Sequence, residues 1–411
     1  MSLILNHSCR RNKGASLSLL LRRLIWVMLN ALLLLLWGCR AAPTPEKLVF
    51  ISAQGDTTGL YVVSTESGEP QRISSIFRWQ RPQGSPDGDN LAFLAEYEEL
   101  LTLYVLPDGS ETPLPLTFGI EVVSFAWSPN GKEIAFSAYQ GAEQDIYTIS
   151  LETHQLVNLT AGNQRADTTP VWSPDGTHIA YHSAPGVSGS HLCQEMCQYR
   201  IYIIERDGAN PQQITARQPP PTMGMMECAP AWSPDSRYLL FNSGCHPGES
   251  AMNIYRFNVQ TEELIQLTTT GQDRGGSWLS DEEILFSTLR DGVANEQHYV
   301  MKYDGTHCRP FLPWDEANIS AIASHDFRWF VWQDRSTEEL LIGDLVTAEV
   351  TSTQVRGCDP VWAASGDKIA FTTACLNLEK SDVWLMNRDG TQLVNLTTDL
   401  AGNNYQPIWI P

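Results

Sequence analysis

The chain has 411 residues, a formal net charge of −20 and an isoelectric point near 4.8. A surface with this excess of carboxylates repels nucleic acid and anionic lipid head groups, which excludes those partners. It favours solubility, a cation ligand or a basic partner.

Residues 1–38 have the pattern of a bacterial export signal. They contain five basic residues and no acidic one, and Leu24–Leu36 is apolar except for Asn30. That run is too short for an ordinary transmembrane helix. It ends at Leu36-Trp37-Gly38-Cys39, which resembles a lipobox, although a small residue is usual where Trp37 stands. We therefore predict a signal over 1–38, lipidation at Cys39 and an exported protein, with an uncleaved anchor or plain secretion as alternatives.

A short extended tether follows, because Pro43 and Pro45 lie within residues 39–46. Without residues 1–38 the chain keeps 22 basic against 47 acidic side chains, a net charge of about −25. The remaining residues, 47–411, carry one continuous pattern of short β-strands and contain no further linker. The protein is predicted to contact the membrane through its lipid anchor only, in the cell envelope.

A β-hairpin signature recurs along residues 47–411, and Thr169–Tyr181 is its clearest copy. The sequence Trp-Ser-Pro-Asp-Gly begins at Trp172, and Pro, Asp and Gly are the residues that a tight turn requires. An alternating aliphatic and aromatic strand follows each turn. Further strands follow in every copy, often after Asp-Gly, and five copies end in Leu-Thr or Ile-Thr. Four strands per repeat is typical of a propeller blade.

The number of repeats predicts the number of blades. The position of the repeat tryptophan recurs every 39 to 60 residues, at Gly84, Trp127, Trp172, Trp232, Trp278, Ala323, Trp362 and Trp409. The last copy ends after one strand, whereas the strand at Lys47–Ile51 has no such strand before it. We predict an all-β fold, a single closed propeller of eight four-stranded blades, in which Gln406–Ile410 completes the first blade. Seven blades is the alternative.

These repeats are similar to the WD40-like β-propeller repeats of the TolB type, over nearly all of residues 47–411. The resemblance rests on Asp167-Thr-Thr-Pro-Val-Trp-Ser-Pro-Asp-Gly176 and on the Leu-Thr endings. It implies a propeller that binds an envelope protein or peptide, here as a monomer. The chain departs from TolB because no α/β domain precedes the first blade. Eight blades also resemble those of prolyl-oligopeptidase-type enzymes, but the sequence has no Gly-x-Ser-x-Gly motif.

The cysteine spacing predicts disulfides, in keeping with an oxidising compartment. Cys228 and Cys245 flank one repeat hairpin, and Cys358 and Cys375 flank another at the same spacing of 17. Trp232 opposite Phe241 and Trp362 opposite Phe371 would place each pair of cysteines directly opposite. Cys193 and Cys197 are predicted to pair locally. The alternative is a metal site that they form with His182 and His191, and Cys308 is not assigned to a pair.

A polar residue recurs five positions before the tryptophan position in five repeats. These residues are Asp167, Glu227, Asp273, Asn318 and Asn404. In a propeller they would form a ring near one channel mouth, which suits calcium or a basic segment of a partner. The alternative is a structural role, because short carboxylate and amide side chains bind nearby backbone. No cofactor is predicted other than calcium, which the polar ring could bind.

Two functions follow from this pattern. The first is a non-catalytic ligand-binding or protein-binding propeller tethered to the envelope. The second is a carbohydrate-active or metal-assisted hydrolase or lyase with its site at the channel mouth. Two long insertions, Pro185–Arg200 and Gln218–Glu227, are predicted to contribute contact surface, because long loops on a rigid scaffold commonly carry function.

Overall fold

A computed structural model describes most of the propeller region. It covers residues 46–410 except 55–56, 66–67, 76–81, 109, 111, 142, 186–198, 215–226, 245–251, 290–296, 312–320, 335 and 374–379. Contacts divide the chain into Met1–Pro45 and Glu46–Pro411, and all described residues belong to the second part. The predicted signal, most of the tether and Cys39 therefore lie outside the described residues.

The described residues form 32 strands and no α-helix. The first sixteen are β1 (Lys47–Gln54), β2 (Thr57–Ser64), β3 (Gln71–Ser75), β4 (Gln83–Gly84), β5 (Asn90–Tyr97), β6 (Leu100–Pro107), β7 (Leu114–Pro115), β8 (Glu121–Trp127), β9 (Glu133–Gln140), β10 (Glu143–Ser150), β11 (Leu156–Asn158), β12 (Arg165–Trp172), β13 (His178–Pro185), β14 (Arg200–Glu205), β15 (Gln212–Gln213) and β16 (Glu227–Trp232). The others are β17 (Tyr238–Ser243), β18 (Asn253–Asn258), β19 (Leu264–Gln266), β20 (Asp273–Trp278), β21 (Glu283–Thr288), β22 (Gln297–Lys302), β23 (Arg309–Pro310), β24 (Ile322–Ala323), β25 (Trp329–Gln333), β26 (Glu339–Asp344), β27 (Val350–Arg356), β28 (Cys358–Trp362), β29 (Lys368–Thr372), β30 (Val383–Asn387), β31 (Val394–Asn395) and β32 (Asn403–Ile410).

These strands form eight four-stranded units. Unit 1 has the order β32-β1-β2-β3, and units 2 to 8 take the following strands four at a time, from β4–β7 to β28–β31. A single parallel bridge, Gln144 to Ala166, joins units 3 and 4, so the described strands make six four-stranded sheets and one eight-stranded sheet. Pairing within each unit is antiparallel. The predicted all-β fold with four strands per repeat is confirmed.

The C-terminal strand completes the N-terminal unit, as predicted. β32 pairs with β1 in antiparallel register, with Lys47 opposite Ile410 and Leu48 opposite Trp409. The first strand of unit 1 therefore comes from the end of the chain, and β1 has a hydrogen-bonded neighbour on both sides. An unpaired strand edge at β1 is thereby avoided.

Hydrophobic clusters connect consecutive units. In the described residues there are eight such clusters, and each contains strands of two neighbouring units. One of them joins unit 8 to unit 1 through Leu48, Phe50, Ala370 and Val383. The core is therefore divided among the junctions between units and is not collected in one central layer.

The hairpin turn is fixed by a repeated serine and aspartate pair. In unit 4 the Ser173 hydroxyl donates to Asp175 Oδ1 at 2.6 Å and accepts from the His178 backbone N–H at 2.9 Å. Gly176 has φ of 71°, which the turn requires and glycine adopts without strain. Ser85, Ser233 and Ser324 make the same two bonds in their units, and Ser128 does so with Asn130 in place of the aspartate.

These turns correct the predicted register. The backbone of Ser233 is bonded to that of Tyr238, so the turn is centred one residue earlier than the sequence suggested. Trp232 consequently lies opposite Leu239 and not Phe241, and Trp362 lies opposite Ile369 and not Phe371. The predicted register, in which Cys228 lies directly opposite Cys245 and Cys358 directly opposite Cys375, is therefore wrong.

A β-bulge recurs in the first strand of several units, three residues before the tryptophan position. The bulged residues in units 4, 5, 8 and 1 are Thr169, Ala229, Asp359 and Gln406, with φ between 48° and 54°. Gly275 is the corresponding residue in unit 6, with φ of 67°. The bulge turns one residue outward in four of these strands, since Thr169, Ala229, Gly275 and Asp359 are exposed, whereas Gln406 is half-buried.

The Leu-Thr endings anchor the third strand of a unit. The hydroxyls of Thr117, Thr160, Thr268 and Thr397 each accept a hydrogen bond from a third-strand backbone N–H at 3.0 Å. Each of these threonines is buried. The recurrence of Leu-Thr in the sequence is therefore a backbone requirement of the fold.

Candidate functional site

The units have two different ends, because their strands are antiparallel. At the turn-bearing face, tight turns join the first strand to the second and the third to the fourth. At the loop-bearing face, connections join the second strand to the third and one unit to the next. The two long insertions of the sequence connect strand ends at the loop-bearing face, and most of their residues, 186–198 and 215–226, lie outside the described residues.

The predicted polar row lies near the loop-bearing face, but its described side chains are buried. Asp167, Asp273 and Asn404 each have an exposed fraction of 0%. Asn318 and the Glu227 side chain lie outside the described residues. The described members are thus spread over units 4, 6 and 1 and covered by protein. Their role as ligands for a cation or a basic partner stays a prediction.

Each of these three side chains makes a hydrogen bond inside the fold, although Asp167 Oδ1 and Asn404 Oδ1 are buried without a partner among the described residues. Asn163 Nδ2 donates to Asp167 Oδ2 at 2.6 Å, and the Thr270 hydroxyl donates to Asp273 Oδ2 at 2.5 Å. The Asn404 amide donates to a backbone carbonyl at 3.2 Å. Asp167 and Asp273 each bind a residue that lies three or four positions earlier in the chain, just before the strand begins. This is the structural role that the sequence analysis named as the alternative.

Burial also changes the acidity of Asp167. The pKa of this carboxyl is raised above its ordinary value because its charged form loses solvation, and hydrogen bonds from Ser183 and Asn163 offset part of that effect. A carboxylate that is costly to ionise contributes less negative potential than its formal charge suggests. The predicted concentration of negative charge is therefore weakened at Asp167.

Thr169 and His182 form an unusual polar pair in the middle of β12 and β13. Thr169 is a β-branched residue with φ of 54°, a conformation that costs about 1–2 kcal/mol. Its backbone N–H donates to the Ser124 hydroxyl of unit 3 at 3.1 Å, which helps to hold the bulge. Its own hydroxyl lies 3.0 Å from His182 Nδ1. The same positive φ recurs at Ala229, Asp359 and Gln406, so it belongs to the repeat, and the contact with His182 is what distinguishes unit 4.

His182 combines burial with an unused nitrogen. Burial lowers the pKa of the imidazole to about 4, so the ring is neutral near pH 7. Its Nε2 atom is buried and has no hydrogen-bond partner among the described residues. The ring of Tyr199 meets that of His182 edge to face, with 6.2 Å between the ring centres. A neutral imidazole fixed at Nδ1 can accept a proton or a hydrogen bond at Nε2.

Arg165 lies on the opposite face of the same hairpin. Its Nε donates to the Ser183 hydroxyl at 2.6 Å, and its guanidinium lies 5.0 Å from the centre of the Tyr202 ring. Ser183 is paired with Asp167, whereas His182 is paired with Thr168, and adjacent side chains of a strand point to opposite faces. The Arg165 and His182 groups therefore belong to two separate surfaces of unit 4.

The sequence identified His182 only as part of an alternative metal site with His191, Cys193 and Cys197. Those three residues lie outside the described residues. Within the described part of the chain, no group of three His, Cys, Asp or Glu side chains is arranged to hold a metal ion. The local sequence does not predict the bulge that brings Thr169 to His182, because threonine does not favour positive φ.

Among the known proteins similar to this chain are several peptidases and a lyase. Dipeptidyl-peptidase 5 of Porphyromonas gingivalis is 27% identical over 171 residues, which are 40% of this chain and 23% of that protein. Dipeptidyl peptidase 4 of the same organism superposes with a TM-score of 0.62 and 10% identity, covering 86% of this chain and 58% of the other. Oligogalacturonate lyase in complex with manganese gives a TM-score of 0.54 and 12% identity, covering 84% of this chain and 98% of the lyase.

These comparisons support a β-propeller fold. The chain spans about a fifth to two fifths of the length of the curated relatives that it matches. No protein-family profile matches it. TolB of Acinetobacter baumannii superposes with a TM-score of only 0.39, so the TolB resemblance stays a prediction.

Proposed function

We propose that this protein is a hydrolase or lyase that acts at the loop-bearing face of its propeller, with His182 as an acid–base residue. The observation that carries the proposal is the buried His182 Nε2, which has no partner among the described residues, in a ring held at Nδ1 by Thr169. A buried nitrogen without a hydrogen bond is costly to maintain in a fold. A substrate group that donates to Nε2 would remove that cost.

The geometry defines the role of each atom. The 3.0 Å contact fits either tautomer of the imidazole, and we propose the one in which Nδ1–H donates to Thr169 Oγ1, which leaves Nε2 as the acceptor. Because burial lowers the pKa of His182 to about 4, the acceptor form is populated throughout the neutral range. Its conjugate acid is strong, so a proton taken at Nε2 is returned readily to a leaving group. Thr169 orients the ring and does not itself react.

The relatives support this class of function over a purely binding propeller. Dipeptidyl-peptidase 5 is named for peptide hydrolysis, and oligogalacturonate lyase for cleavage of an acidic saccharide. The similarity to dipeptidyl-peptidase 5 is one of sequence. The similarity to oligogalacturonate lyase is one of structure and covers almost the whole length of the lyase. We therefore propose short peptides and short uronate chains as the two substrate classes to assay.

The test compares two histidines of the same strand. His182→Gln removes the titratable acceptor, whereas His178→Gln changes the histidine at the turn-bearing end of β13. Purified protein is assayed with chromogenic dipeptides and with oligogalacturonate, each with and without added manganese. We expect turnover of one class and a loss of about 100-fold or more in kcat/KM for His182→Gln alone. Equal activity of the parent and His182→Gln would contradict the assignment of His182.

A non-catalytic binding propeller is the second candidate. It rests on the formal net charge of −20 and not on Asp167 and Asp273, whose carboxylates are committed to contacts within the fold. Absence of turnover in every assay, together with recovery of an envelope protein in a pull-down, would establish this candidate in place of the first. The partner expected from the net charge is basic, and calcium is the ion to test.

We further propose that the eight units form one closed ring of eight blades, as a single monomeric domain over 47–411. Support comes from the β32–β1 pairing and from a hydrophobic cluster at each junction, including that between unit 8 and unit 1. First strands of neighbouring units also contact one another, among them β28 with β32 and β32 with β4. The alternative of seven blades requires unit 7 to be a loop, whereas β24–β27 form a four-stranded sheet.

Export and anchoring are also proposals. They rest on the basic and apolar segment at 1–38 and on the Leu36-Trp37-Gly38-Cys39 sequence. Among the described residues, no helix is long and apolar enough to cross a membrane. Cys39→Ser is expected to abolish lipid labelling and to release the protein from membranes. Unchanged membrane fractionation of this variant would favour an uncleaved anchor.

A further inference from the structure

A serine of unit 3 contacts the bulge of unit 4 that carries Thr169. The Ser124 hydroxyl, on the first strand of unit 3, accepts a hydrogen bond from the Thr169 backbone N–H at 3.1 Å. The hydroxyl of Thr169 lies 3.0 Å from His182 Nδ1. Two hydrogen bonds therefore connect a side chain of one unit to the candidate acid–base residue of the next.

Neighbouring hydroxyl groups orient Ser124. Its Oγ lies 2.7 Å from Oγ of Ser137, the residue directly opposite it in β9. Ser137 is buried, and its Oγ lies 3.3 Å from Thr168 Oγ1 of unit 4. Thr168 is paired with His182 across β12 and β13. Three hydroxyl groups thus form a continuous row across the junction, beside the strand pair that contains His182.

The repeat does not require this bond between units. The bulged residues Ala229, Asp359 and Gln406 have the same positive φ, and among the described residues none of their backbone N–H groups donates to a side chain of the preceding unit. The Gly275 N–H does donate to Asn242 of unit 5, at 3.0 Å, but glycine has no side chain to position. Unit 4 therefore combines an anchored bulge with a hydroxyl group that contacts a histidine.

Threonine needs such an anchor more than the other bulged residues do. A β-branched residue with φ of 54° is strained, because its Cβ crowds the neighbouring backbone. A β-bulge re-aims a side chain, so relaxation of this bulge would turn the Thr169 hydroxyl away from His182. The hydrogen bond to Ser124 favours the bulged conformation and thereby the contact with the imidazole.

We propose that Ser124 is a positioning residue for His182, so that the candidate acid–base site is completed across the junction between units 3 and 4. Ser124 acts through Thr169, because it fixes the bulge, and the bulge holds the hydroxyl that contacts Nδ1. The effect of Ser124 on turnover rests on the proposed function of His182. Its effect on the orientation of the imidazole does not, because these contacts are present without a substrate.

The ring nitrogens of His182 report this role directly. Their nuclear magnetic resonance shifts are measured on the full chain labelled with nitrogen-15 and are assigned with His182→Gln. Thr169→Val keeps the shape of the side chain and gives the shifts of a ring without its Nδ1 contact. We expect Ser124→Ala to move the shifts part of the way towards those of Thr169→Val. Ser124→Thr keeps the hydroxyl and should retain the parent shifts. Unchanged shifts in a folded Ser124→Ala would overturn the proposal.

Turnover provides a second measurement. Where peptides or uronates are cleaved, Ser124→Ala should lower kcat about fivefold and leave KM unchanged, because a fivefold change corresponds to about 1 kcal/mol, the net contribution of one hydrogen bond. Ser287→Ala is the matched control, since it removes a hydroxyl that lies 3.1 Å from Nδ1 of another histidine, His298 in unit 6. It should change neither kcat nor the His182 shifts, and an effect equal to that of Ser124→Ala would overturn the proposal.

The two measurements separate this inference from the proposed function. Absence of turnover in the parent would contradict the proposed function, and the resonance shifts would still decide the role of Ser124. If Ser124→Ala fails to fold, Ser137→Ala removes the buried hydroxyl that contacts Ser124 and should move the His182 shifts in the same direction. Unchanged shifts in a folded Ser137→Ala would in that case overturn the proposal.

Discussion

Arg206 of unit 4 holds Glu133 of unit 3 through two parallel hydrogen bonds, Nη2 to Oε1 at 2.7 Å and Nε to Oε2 at 2.9 Å. The glutamate raises the pKa of the guanidinium through these bonds. The Glu133 side chain is 19% exposed and that of Arg206 is 53% exposed. The pair therefore connects neighbouring units at the turn-bearing face, outside the hydrophobic cluster that joins them.

The Arg206 and Glu133 pair is expected to contribute modestly to stability. A double-mutant cycle with Arg206→Met and Glu133→Gln should give a coupling free energy of about 0.5–1 kcal/mol, since solvent screens a half-exposed pair. Urea unfolding at low and high salt measures it, and salt should reduce the coupling. The control is the Arg309 and Glu283 pair within unit 6, which has one contact at 3.2 Å and should couple less. A larger coupling in the control would contradict the expected benefit of two bonds.

The C-terminal strand should be essential for unit 1. Deleting residues 404–411 removes most of β32, exposes the edge of β1 and is expected to unfold or aggregate the protein. Trp409→Ala should destabilise the fold by about 3 kcal/mol, because it removes a large aromatic ring. The Trp409 Nε1–H donates to the Val361 backbone carbonyl at 3.1 Å, so Trp409→Phe, which mainly loses this bond, should cost about 1 kcal/mol. Thermal melting checks all three, and an unchanged midpoint after the deletion would contradict the pairing.

His182 should make the fold sensitive to mild acid. Its pKa is about 4 in the folded protein and 6.5 in an ordinary histidine, so below pH 6.5 the unfolded chain binds the proton more strongly. Stability should therefore fall as pH decreases from about 6.5 to 4, by up to about 3 kcal/mol, since one pH unit of difference is worth about 1.4 kcal/mol. His182→Gln should reduce this slope, whereas His178→Gln should keep it. Identical slopes in denaturant titrations of the parent and His182→Gln would refute the prediction.

Asp167 should have the opposite pH dependence. Because burial raises the pKa of this carboxyl, the folded state retains its proton more strongly than the unfolded chain. Asp167 contributes most to the free energy of unfolding below the ordinary pKa of an aspartate. That contribution is lost as pH rises through the pKa that Asp167 has in the folded protein. Asp167→Asn keeps an acceptor for Asn163 and removes the charge, so we expect a melting temperature at pH 7 equal to or above that of the parent. A large loss of stability would show that the ionised carboxylate is required.

The disulfides remain a prediction with a changed geometry. Cys228 lies opposite Asn242, and Cys245 comes three residues after Asn242 in the sequence. Cys358 lies opposite Thr372, and Cys375 comes three residues after Thr372. The offset is the same in both hairpins, so we still expect Cys228–Cys245 and Cys358–Cys375. Each closes a short loop, which corresponds to about 3 kcal/mol in the loop-entropy treatment. Peptide mapping without reduction checks the pairing, and cross-paired cysteines would contradict it.

The sequence by itself determined the architecture of the units, because the information is local. Turn residues and alternation of apolar side chains identify a hairpin within about a dozen residues, and the incomplete repeats at the two chain ends predicted the pairing of Gln406–Ile410 with Lys47–Ile51. That pairing is present, with Lys47 opposite Ile410. Unit 7 was likewise recognised despite Ala323 in place of tryptophan.

Tertiary structure alone decided the register, the burial of the polar row and the special position of His182. The Ser233 turn bonds and the bulge at Ala229 shift the strands by amounts that no residue count reveals. Asp167 and Asp273 are buried because neighbouring segments supply their partners. Likewise, Phe311 packs on Phe330 at the junction where Ala323 stands in place of tryptophan. The environment of each side chain depends on the residues that the neighbouring unit places beside it. Those contacts are set by packing between residues that are distant in the chain.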